Sequence, residues 1–251
     1  MIGPLTDEQL RRYSRQLLLP DVGGTGQARL RAARVLIVGA GGLGSPAALY
    51  LAGAGVGVLG LVDGDAVELS NLQRQVLHGV KDLDRPKVYS GQARLGEMNP
   101  EVRVEPQHIM LTPDNAADAL RGWDVVLEGS DNLATKLLVS DAAVPLGRPA
   151  VIGAATGWEG QLLVVRPGVS PCYRCVVRRE PPAGSVPSCQ EAGILGPVAG
   201  VIGCLQAVEA LKLLLGLPTV GGLVVYDGRS ATLETIDVRR NPACVCARSD
   251  G

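Results

Sequence analysis

The sequence contains no phenylalanine, and aromatic residues make up only 3% of its 251 residues. This argues against an aromatic core, whereas 33 glycines and 17 prolines favour tight turns and close approaches of the backbone. The sequence also lacks an excess of either charge, with 24 Lys and Arg against 25 Asp and Glu. The balance gives no electrostatic reason to expect nucleic acid or a membrane surface as a partner.

The first 20 residues carry charges throughout and lack the apolar segment of a secretory signal peptide. One later stretch, from Val35 to Val62, has no charged residue and is long enough to cross a bilayer. It contains eight glycines and Pro46, and it divides into a strand, a turn, a helix and a strand. Because buried βαβ units also form near-continuous apolar runs, we expect a cytoplasmic protein without a membrane span.

Short apolar strands alternate with helical segments over the first two thirds of the chain. This alternation predicts an α/β fold, a Rossmann-like doubly wound and mostly parallel sheet with helices on both faces. The predicted strands are 35–38, 58–62, 102–105, 124–127, 150–153 and 162–165, and the predicted helices are 6–19, 46–54, 86–98, 115–120, 132–144 and 197–215. In the last third, a cysteine pair precedes a segment rich in Pro, Gly and Ser, the apolar helix and two closing strands.

A G-x-G-x-x-G motif, Gly39-Ala40-Gly41-Gly42-Leu43-Gly44, lies between a predicted strand and a predicted helix. Gly39 permits the tight turn, Gly41 lets a phosphate approach the backbone, and Gly44 allows the helix and strand to pack closely. The helix N-terminus favours anions. Asp63 ends the next strand, where a carboxylate can accept hydrogen bonds from ribose. The arrangement predicts a nucleotide site, and the alternative is a glycine-rich turn that only packs.

Taken alone, this motif would suggest a nicotinamide-dependent dehydrogenase, but three features favour a triphosphate. Segment 70–75, Ser-Asn-Leu-Gln-Arg-Gln, places Arg74 and several amides just after Asp63. Lys87 lies early in the next helix, and Asp131-Asn132 follows a strand where open α/β sheets bind ligands. Two cations and an acid suit a triphosphate with a divalent cation such as Mg²⁺. The alternative for Arg74 and Lys87 is a solvated surface position.

Six cysteines are present: Cys172, Cys175, Cys189, Cys204, Cys244 and Cys246. Four of them form two closely spaced pairs, Cys172 with Cys175 and Cys244 with Cys246. Without an export signal, the paired spacing favours metal or redox chemistry over structural disulfides. Cys204 lies on the predicted apolar helix, and we expect it to be a packed core residue.

These motifs and their order resemble the ThiF/MoeB family of sulfur-carrier adenylyltransferases, which are relatives of the ubiquitin-activating enzymes. The resemblance extends over nearly the whole chain. The segments that carry it are Arg12-Tyr13-Ser14-Arg15-Gln16, the glycine loop, segment 70–75, Pro86-Lys87, Asp131-Asn132, Pro171-Cys172-Tyr173-Arg174-Cys175 and Glu191-Ala192-Gly193.

The resemblance implies an ATP site, a catalytic set and a homodimer. Together with the glycine motif, the predicted nucleotide-binding residues are Gly39, Gly41, Gly42, Gly44, Asp63, Asp65, Ser70, Asn71, Leu72, Gln73, Arg74, Lys87, Asp131 and Asn132. The predicted catalytic residues are Arg15, Arg74, Lys87, Asp131 and Cys189. Arg15 is expected to reach the ATP of a neighbouring subunit, and Asp131 to hold Mg²⁺. Asp131 also precedes a predicted helix, so a helix N-cap is its alternative role.

The resemblance also implies a zinc site on Cys172, Cys175, Cys244 and Cys246. The last pair, Cys244-Val245-Cys246, is one residue shorter than the usual C-x-x-C. Cys189 lies where some members form a bond to the carrier, and a bystander thiol is the alternative. The acid before the Asp-Asn pair is Glu128 rather than the commoner Asp.

The expected reaction joins ATP to the C-terminal Gly-Gly carboxylate of a small ubiquitin-like sulfur carrier, giving an acyl-adenylate and pyrophosphate. A cysteine desulfurase or rhodanese-type donor would supply sulfur for molybdopterin, thiamine or tRNA thiolation. We interpret 1–251 as a single adenylation domain: a helical arm (1–30), a nucleotide-binding core (31–165) and a C-terminal part (166–251) with the cysteine cluster, a crossover loop and the carrier-binding region. The alternatives are an NAD(P)-dependent oxidoreductase and a non-catalytic ATP-binding scaffold.

Overall fold

A computed structural model describes residues 3–179 and 192–247, which build one eight-stranded sheet. The strand order is β3-β2-β1-β4-β5-β6-β7-β8. The strands are β1 Arg34–Val38, β2 Val58–Val62, β3 Arg103–Gln107, β4 Val125–Glu128, β5 Ala150–Thr156, β6 Glu159–Val165, β7 Leu223–Asp227 and β8 Thr232–Ile236. The first five pair in parallel and the last three join in antiparallel fashion, which confirms the predicted mostly parallel sheet.

Helices cover both faces of the sheet, as predicted. They are α1 Asp7–Arg12, α2 Ser14–Leu17, α3 Gly23–Ala32, α4 Gly44–Gly53, α5 Lys87–Met98, α6 Ala116–Leu120, α7 Leu133–Ala143, α8 Tyr173–Val176 and α9 Gly196–Leu215. Successive residues of β1 point to opposite faces, as the period of a strand requires. Val35 and Ile37 join a core with α4, α5 and α9, while Leu36 and Val38 join a second core with α6, α7 and α8.

The N-terminal arm differs from the predicted single helix 6–19. The capping box of Thr6 and Gln9 is present, with the Gln9 backbone N–H donating to Thr6 Oγ1 at 3.3 Å and the Thr6 N–H to Gln9 Oε1 at 3.0 Å. The helix is interrupted at Tyr13, whose ring is buried and whose hydroxyl accepts from Asn99 Nδ2 at 3.0 Å. The interruption therefore coincides with the residue that is anchored in the core. Helix α3 begins with two glycines and was not predicted from the sequence.

Both long apolar segments lie within the fold. The stretch 35–62 forms β1, the glycine loop, α4 and β2, as the βαβ interpretation predicts. Helix α9 is long and apolar enough to cross a membrane, and half of its apolar window is buried. It packs on α4 and β5, and buried Gln206 donates from Nε2 to the carbonyls of Glu128 and Val151. Long helices that are mostly apolar occur in the cores of large proteins as well as in membranes. Cys204 of α9 is only half-buried, so the prediction of a packed core residue is only partly right.

Candidate functional site

A cleft of about 310 Å³ lies at the carboxyl ends of the parallel strands. Chain order runs from β1 outward to β3 on one side and from β4 to β5 on the other, so the direction of winding reverses between β1 and β4. The loops that follow these two strands meet there, and a Cβ on Gly39 would lie 2.9 Å from the Ser130 backbone nitrogen. Doubly wound sheets bind their ligands at this switch point.

The glycine loop has the backbone that its motif predicts. Gly39 has φ +90°, a region in which side chains are strained, and a Cβ on Gly44 would overlap the Gly39 carbonyl oxygen. Gly41 and Gly42 line the cleft. The Ala40 N–H donates to Asp63 Oδ2 at 2.8 Å, so the acid at the end of β2 also holds the loop.

Acidic and basic groups face each other across the floor of the cleft. The ammonium of buried Lys87 lies 2.8 Å from Asp65 Oδ2 and 4.0 Å from Asp63 Oδ1. Burial raises the pKa of Asp63, while Lys87 and the N–H groups of Asp65 and Ala40 oppose the rise. The Lys87 charge is therefore held in place at the cleft before any ligand binds.

The structure brings most of the predicted nucleotide-binding residues together at the cleft. Those that line it are Gly39, Gly41, Gly42, Asp63, Asp65, Arg74, Lys87, Asp131 and Asn132. Gly44 does not line the cleft, but its lack of a side chain allows the Gly39 carbonyl to pack against it. The segment 70–73 does not line the cleft. Cys189 lies outside the described residues, as does most of the predicted crossover loop.

Residues 70–73 shape the turn that presents Arg74. Asn71 is buried, and its carbonyl accepts the N–H groups of Arg74 and Gln75, both at 3.0 Å. The Ser70 carbonyl accepts from Arg74 Nη1 at 3.1 Å, and the Ser70 hydroxyl donates to Glu68 at 3.2 Å. Their contribution to the site is thus through the backbone of this turn.

Of the neighbours Asp131 and Asn132, it is Asn132 that caps the following helix. Asn132 is the N-cap of α7, and its Oδ1 accepts from the Thr135 N–H at 2.8 Å. The alternative role of Asp131 as the cap is therefore wrong. The Asp131 carboxylate is exposed at the cleft and available to a ligand.

Arg15 is exposed on α2 and does not line the cleft of its own chain. Tyr13 and Gln16 fix this short helix on the body of the domain. Gln16 Nε2 donates to the Ala54 carbonyl at 3.0 Å. Arg15 is therefore presented outward from a fixed support.

Among the cleft residues that were not predicted as site residues are Gln75, which belongs to the segment 70–75, and Lys136. Gln75 is 3% exposed, and among the described residues its Oε1 has no hydrogen-bond partner. Lys136 Nζ lies 2.7 Å from Glu128 Oε2 and 2.6 Å from the carbonyls of Ser130 and Gly153. A single lysine in the apolar run of α7 was the available signal. Burial raises the pKa of Glu128, and the Lys136 ammonium opposes the rise.

Cys172, Cys175, Cys244 and Cys246 form a buried cluster whose sulfur atoms all lie within 4.8 Å of one another. The Sγ–Sγ distances are 3.9 Å for Cys172–Cys175, 3.4 Å for Cys172–Cys244 and 3.5 Å for Cys175–Cys246. A tetrahedral Zn²⁺ with bonds of about 2.3 Å would separate its sulfurs by about 3.8 Å. The four thiols fit a metal ion, and both cysteines of the shortened C-x-C pair take part in the cluster.

A profile of the ThiF family matches residues 13–246. A sulfur carrier protein adenylyltransferase of Thermus thermophilus is 49% identical over 249 residues, covering 96% of this chain and 92% of that protein. The adenylyltransferase and sulfurtransferase MOCS3 of Bos taurus is 53% identical over 243 residues, and the chain spans 53% of its length.

Among solved structures, E. coli MccB crystallised with MccA-N7isoASN has a TM-score of 0.83 at 21% identity, covering 94% of this chain and 74% of that one. At this identity the likeness shows the fold alone. The profile match covers most of the sequence, and the Thermus relative is similar along almost its whole length. The chain belongs to the ThiF family.

Proposed function

We propose that this protein adenylates the C-terminal Gly-Gly carboxylate of a small ubiquitin-like sulfur carrier. The observation that carries the proposal is the cleft at the β1–β4 switch point, where the glycine loop, Asp63, Arg74, Lys87 and Asp131 line one cavity. A triphosphate can use two cations and an acid, whereas a dinucleotide in hydride transfer does not need them. The names of the Thermus and bovine relatives support the same activity.

In the proposed reaction, a carboxylate oxygen of the carrier attacks the α-phosphorus of ATP. A new P–O bond forms as the bond to the β-phosphate breaks, and pyrophosphate leaves. No general base is needed, because a C-terminal carboxylate with a pKa of about 3.5 is already ionised at pH 7. The chain must instead overcome repulsion between anions and hold them in line.

Four charged side chains of the cleft have a role in this step, and a fifth would come from the partner subunit. Lys87 and Arg74 reduce the repulsion between the phosphates and the incoming carboxylate, and the glycine loop binds the phosphates through its backbone N–H groups. Asp63 accepts from the ribose hydroxyls. Asp131 is the exposed carboxylate that would hold Mg²⁺, which supplies charge neutralisation on the phosphates when it is bound. Arg15 would enter the cleft of the partner in a homodimer.

The four-cysteine cluster is proposed to hold a structural Zn²⁺. Four thiolates make a closed tetrahedral site without a position for substrate. The cluster also ties α8 to the C-terminal turn Val245–Ala247, two segments that are far apart in sequence. The metal would therefore stabilise the C-terminal part of the chain.

The later steps are proposed from the family alone. The sulfur of a cysteine desulfurase or rhodanese-type donor would attack the acyl carbon of the adenylate, and AMP would leave as the C–S bond forms. Alternatively, the Cys189 thiol would lose its proton and attack the same carbon, giving a transient thioester to the carrier as AMP leaves. Molybdopterin, thiamine and tRNA thiolation pathways all fit this chemistry. We propose a cytoplasmic location for it.

The product identifies the reaction. The protein is incubated with ATP, Mg²⁺ and candidate carriers that end in Gly-Gly, and the mass of each intact carrier is measured by mass spectrometry. We expect an AMP adduct on one carrier and none on the same carrier without its last glycine. ATP binding without an adduct on any carrier would favour the scaffold alternative.

A further inference from the structure

Ala40, in the second position of the glycine motif, makes hydrogen bonds to side chains through both its backbone N–H and its backbone carbonyl. The Ala40 N–H donates to Asp63 Oδ2 at 2.8 Å. The Ala40 carbonyl lies 2.9 Å from Nε2 of His78, a residue that is 8% exposed and does not itself line the cleft. Asp63 belongs to the predicted site, but His78 does not belong to the residues that the motifs single out.

The hydrogen bonds of His78 define its tautomer. A carbonyl oxygen can only accept, so Nε2 carries the proton and donates to Ala40. Nδ1 then accepts from the hydroxyl of buried Ser90, which lies 2.8 Å away. Burial lowers the pKa of His78, and the nearby Lys87 ammonium also lowers it, while the Ala40 hydrogen bond and the carboxylates of Asp82 and Asp63 oppose the shift. The neutral ring can thus make both hydrogen bonds at physiological pH.

His78 joins three segments that carry cleft residues. It binds the glycine loop through Ala40 and helix α5 through Ser90, three residues after Lys87. Its own N–H donates to the Gln75 carbonyl at 3.1 Å, in the turn that presents Arg74. The loop, Lys87 and Arg74 are therefore set relative to one another around a single imidazole.

The contact with Ala40 has a direct consequence for the phosphates. The Ala40 carbonyl and the Gly41 N–H belong to the same planar trans peptide, so they point in opposite directions. When His78 holds the carbonyl, it also fixes the direction of the Gly41 N–H, and Gly41 lines the cleft. Without this contact, the peptide is free to rotate and the donor loses its orientation.

We propose that His78 is a positioning residue that orients the Gly41 N–H, and with it the glycine loop, toward the nucleotide phosphates. This inference rests on the proposed ATP site. The His78 imidazole, which lies outside the cleft, would therefore affect the affinity for ATP and not the recognition of the carrier.

Two variants with amide side chains distinguish the hydrogen bond of Nε2 to Ala40 from that of Nδ1 to Ser90. In His78→Gln the amide nitrogen reaches the position of Nε2 and can still donate to Ala40. In His78→Asn the shorter amide matches Nδ1 and reaches only Ser90. ATP affinity is measured by isothermal titration calorimetry, with pyrophosphate exchange giving KM for ATP and for the carrier.

We expect His78→Asn to raise the Kd of ATP about tenfold, the effect of about one lost buried hydrogen bond, and His78→Gln to raise it less than about threefold. The KM for the carrier should stay unchanged in both. Trp123→Phe is the matched control, since Trp123 is also buried and its Nε1 donates to a carbonyl, that of Ala119 at 3.0 Å, away from the cleft. It should lower the melting temperature without changing the Kd.

If the Gln and Asn variants bind ATP with equal affinity, whether both are normal or both are weakened, the role of His78 is refuted. As long as the wild-type protein binds ATP, that result does not affect the proposed function. If His78→Asn does not fold, Ser90→Ala replaces it, and there an unchanged Kd counts against the inference. Wild-type protein that binds no ATP would refute the proposed function itself, and the role of His78 with it.

Discussion

Replacing Lys136 by methionine should destabilise the protein strongly, because it leaves the Glu128 carboxylate buried without its cation. Glu128 is 0% exposed, and the three N–H donors of Lys136 are all used, on Glu128 and on the carbonyls of Ser130 and Gly153. Breaking a buried pair by removing one partner costs about 3–5 kcal/mol. That is a large part of the roughly 5–15 kcal/mol that stabilises a typical domain. Urea unfolding followed by circular dichroism measures the loss.

The loss should depend on pH in a definite direction. Burial already raises the pKa of Glu128, and without Lys136 the opposing effect disappears, so the pKa of Glu128 in the folded variant rises further. In the unfolded chain the pKa of Glu is about 4.3. Between these two values the folded variant binds more protons than the unfolded one, so its stability falls as the pH rises. Wild type shows the same trend only up to its own, lower folded-state pKa of Glu128, so the stability difference between the two proteins should be smallest at acidic pH and grow as the pH rises.

Two further variants make this prediction decisive. Glu128→Gln with Lys136→Met removes both charges, and it should be more stable than Lys136→Met alone. Arg121→Met is the surface control, because its partner Asp118 is exposed, and such pairs contribute about 0–1 kcal/mol. A loss of less than about 1 kcal/mol for Lys136→Met, or a double variant less stable than the single one, would refute the reasoning.

Three other changes should give distinct results. Gly44→Ala would place a Cβ onto the Gly39 carbonyl and should lower the unfolding free energy by about 1–3 kcal/mol. Gly96→Ala, in open space on α5, should raise the unfolding free energy by about 0.5–1 kcal/mol. Equal changes in the two variants would contradict the close packing at Gly44. Because burial raises the pKa of Asp63, ATP affinity measured against pH should begin to fall, on acidification, above the ordinary Asp pKa of about 3.9, and Asp63→Asn should remove this step. Metal analysis should find one zinc per chain, lost in Cys244→Ser and kept in Cys204→Ser; metal-free folded wild type would exclude the site.

Much of the site was predictable because its residues follow strands in chain order. A parallel sheet brings the carboxyl ends of its strands to one edge, so Gly39, Asp63 and Asp131 had to lie near one another once the strands were recognised. The strand Val58–Val62 has the predicted bounds, since both of its ends are marked by a change in composition.

The remaining features depend on contacts between distant residues. The break at Tyr13 coincides with the anchoring of its hydroxyl by Asn99, 86 residues away. The burial of Lys136 depends on carbonyls from two other segments, and a sequence window shows only a lysine in an apolar helix. Asp131 and Asn132 are both good N-cap residues, so composition alone could not decide between them.

The central claim is that the cleft transfers AMP to a carrier carboxylate, and ATP–pyrophosphate exchange tests it most directly. Wild-type protein and Asp131→Ala are compared with a Gly-Gly carrier and with the same carrier lacking its last glycine. The account predicts exchange only for wild type with the intact carrier, and near-complete loss in a folded Asp131→Ala variant, since Asn132 and not Asp131 caps α7. Near-normal exchange by folded Asp131→Ala, or exchange that does not depend on the carrier's terminal glycine, would contradict it.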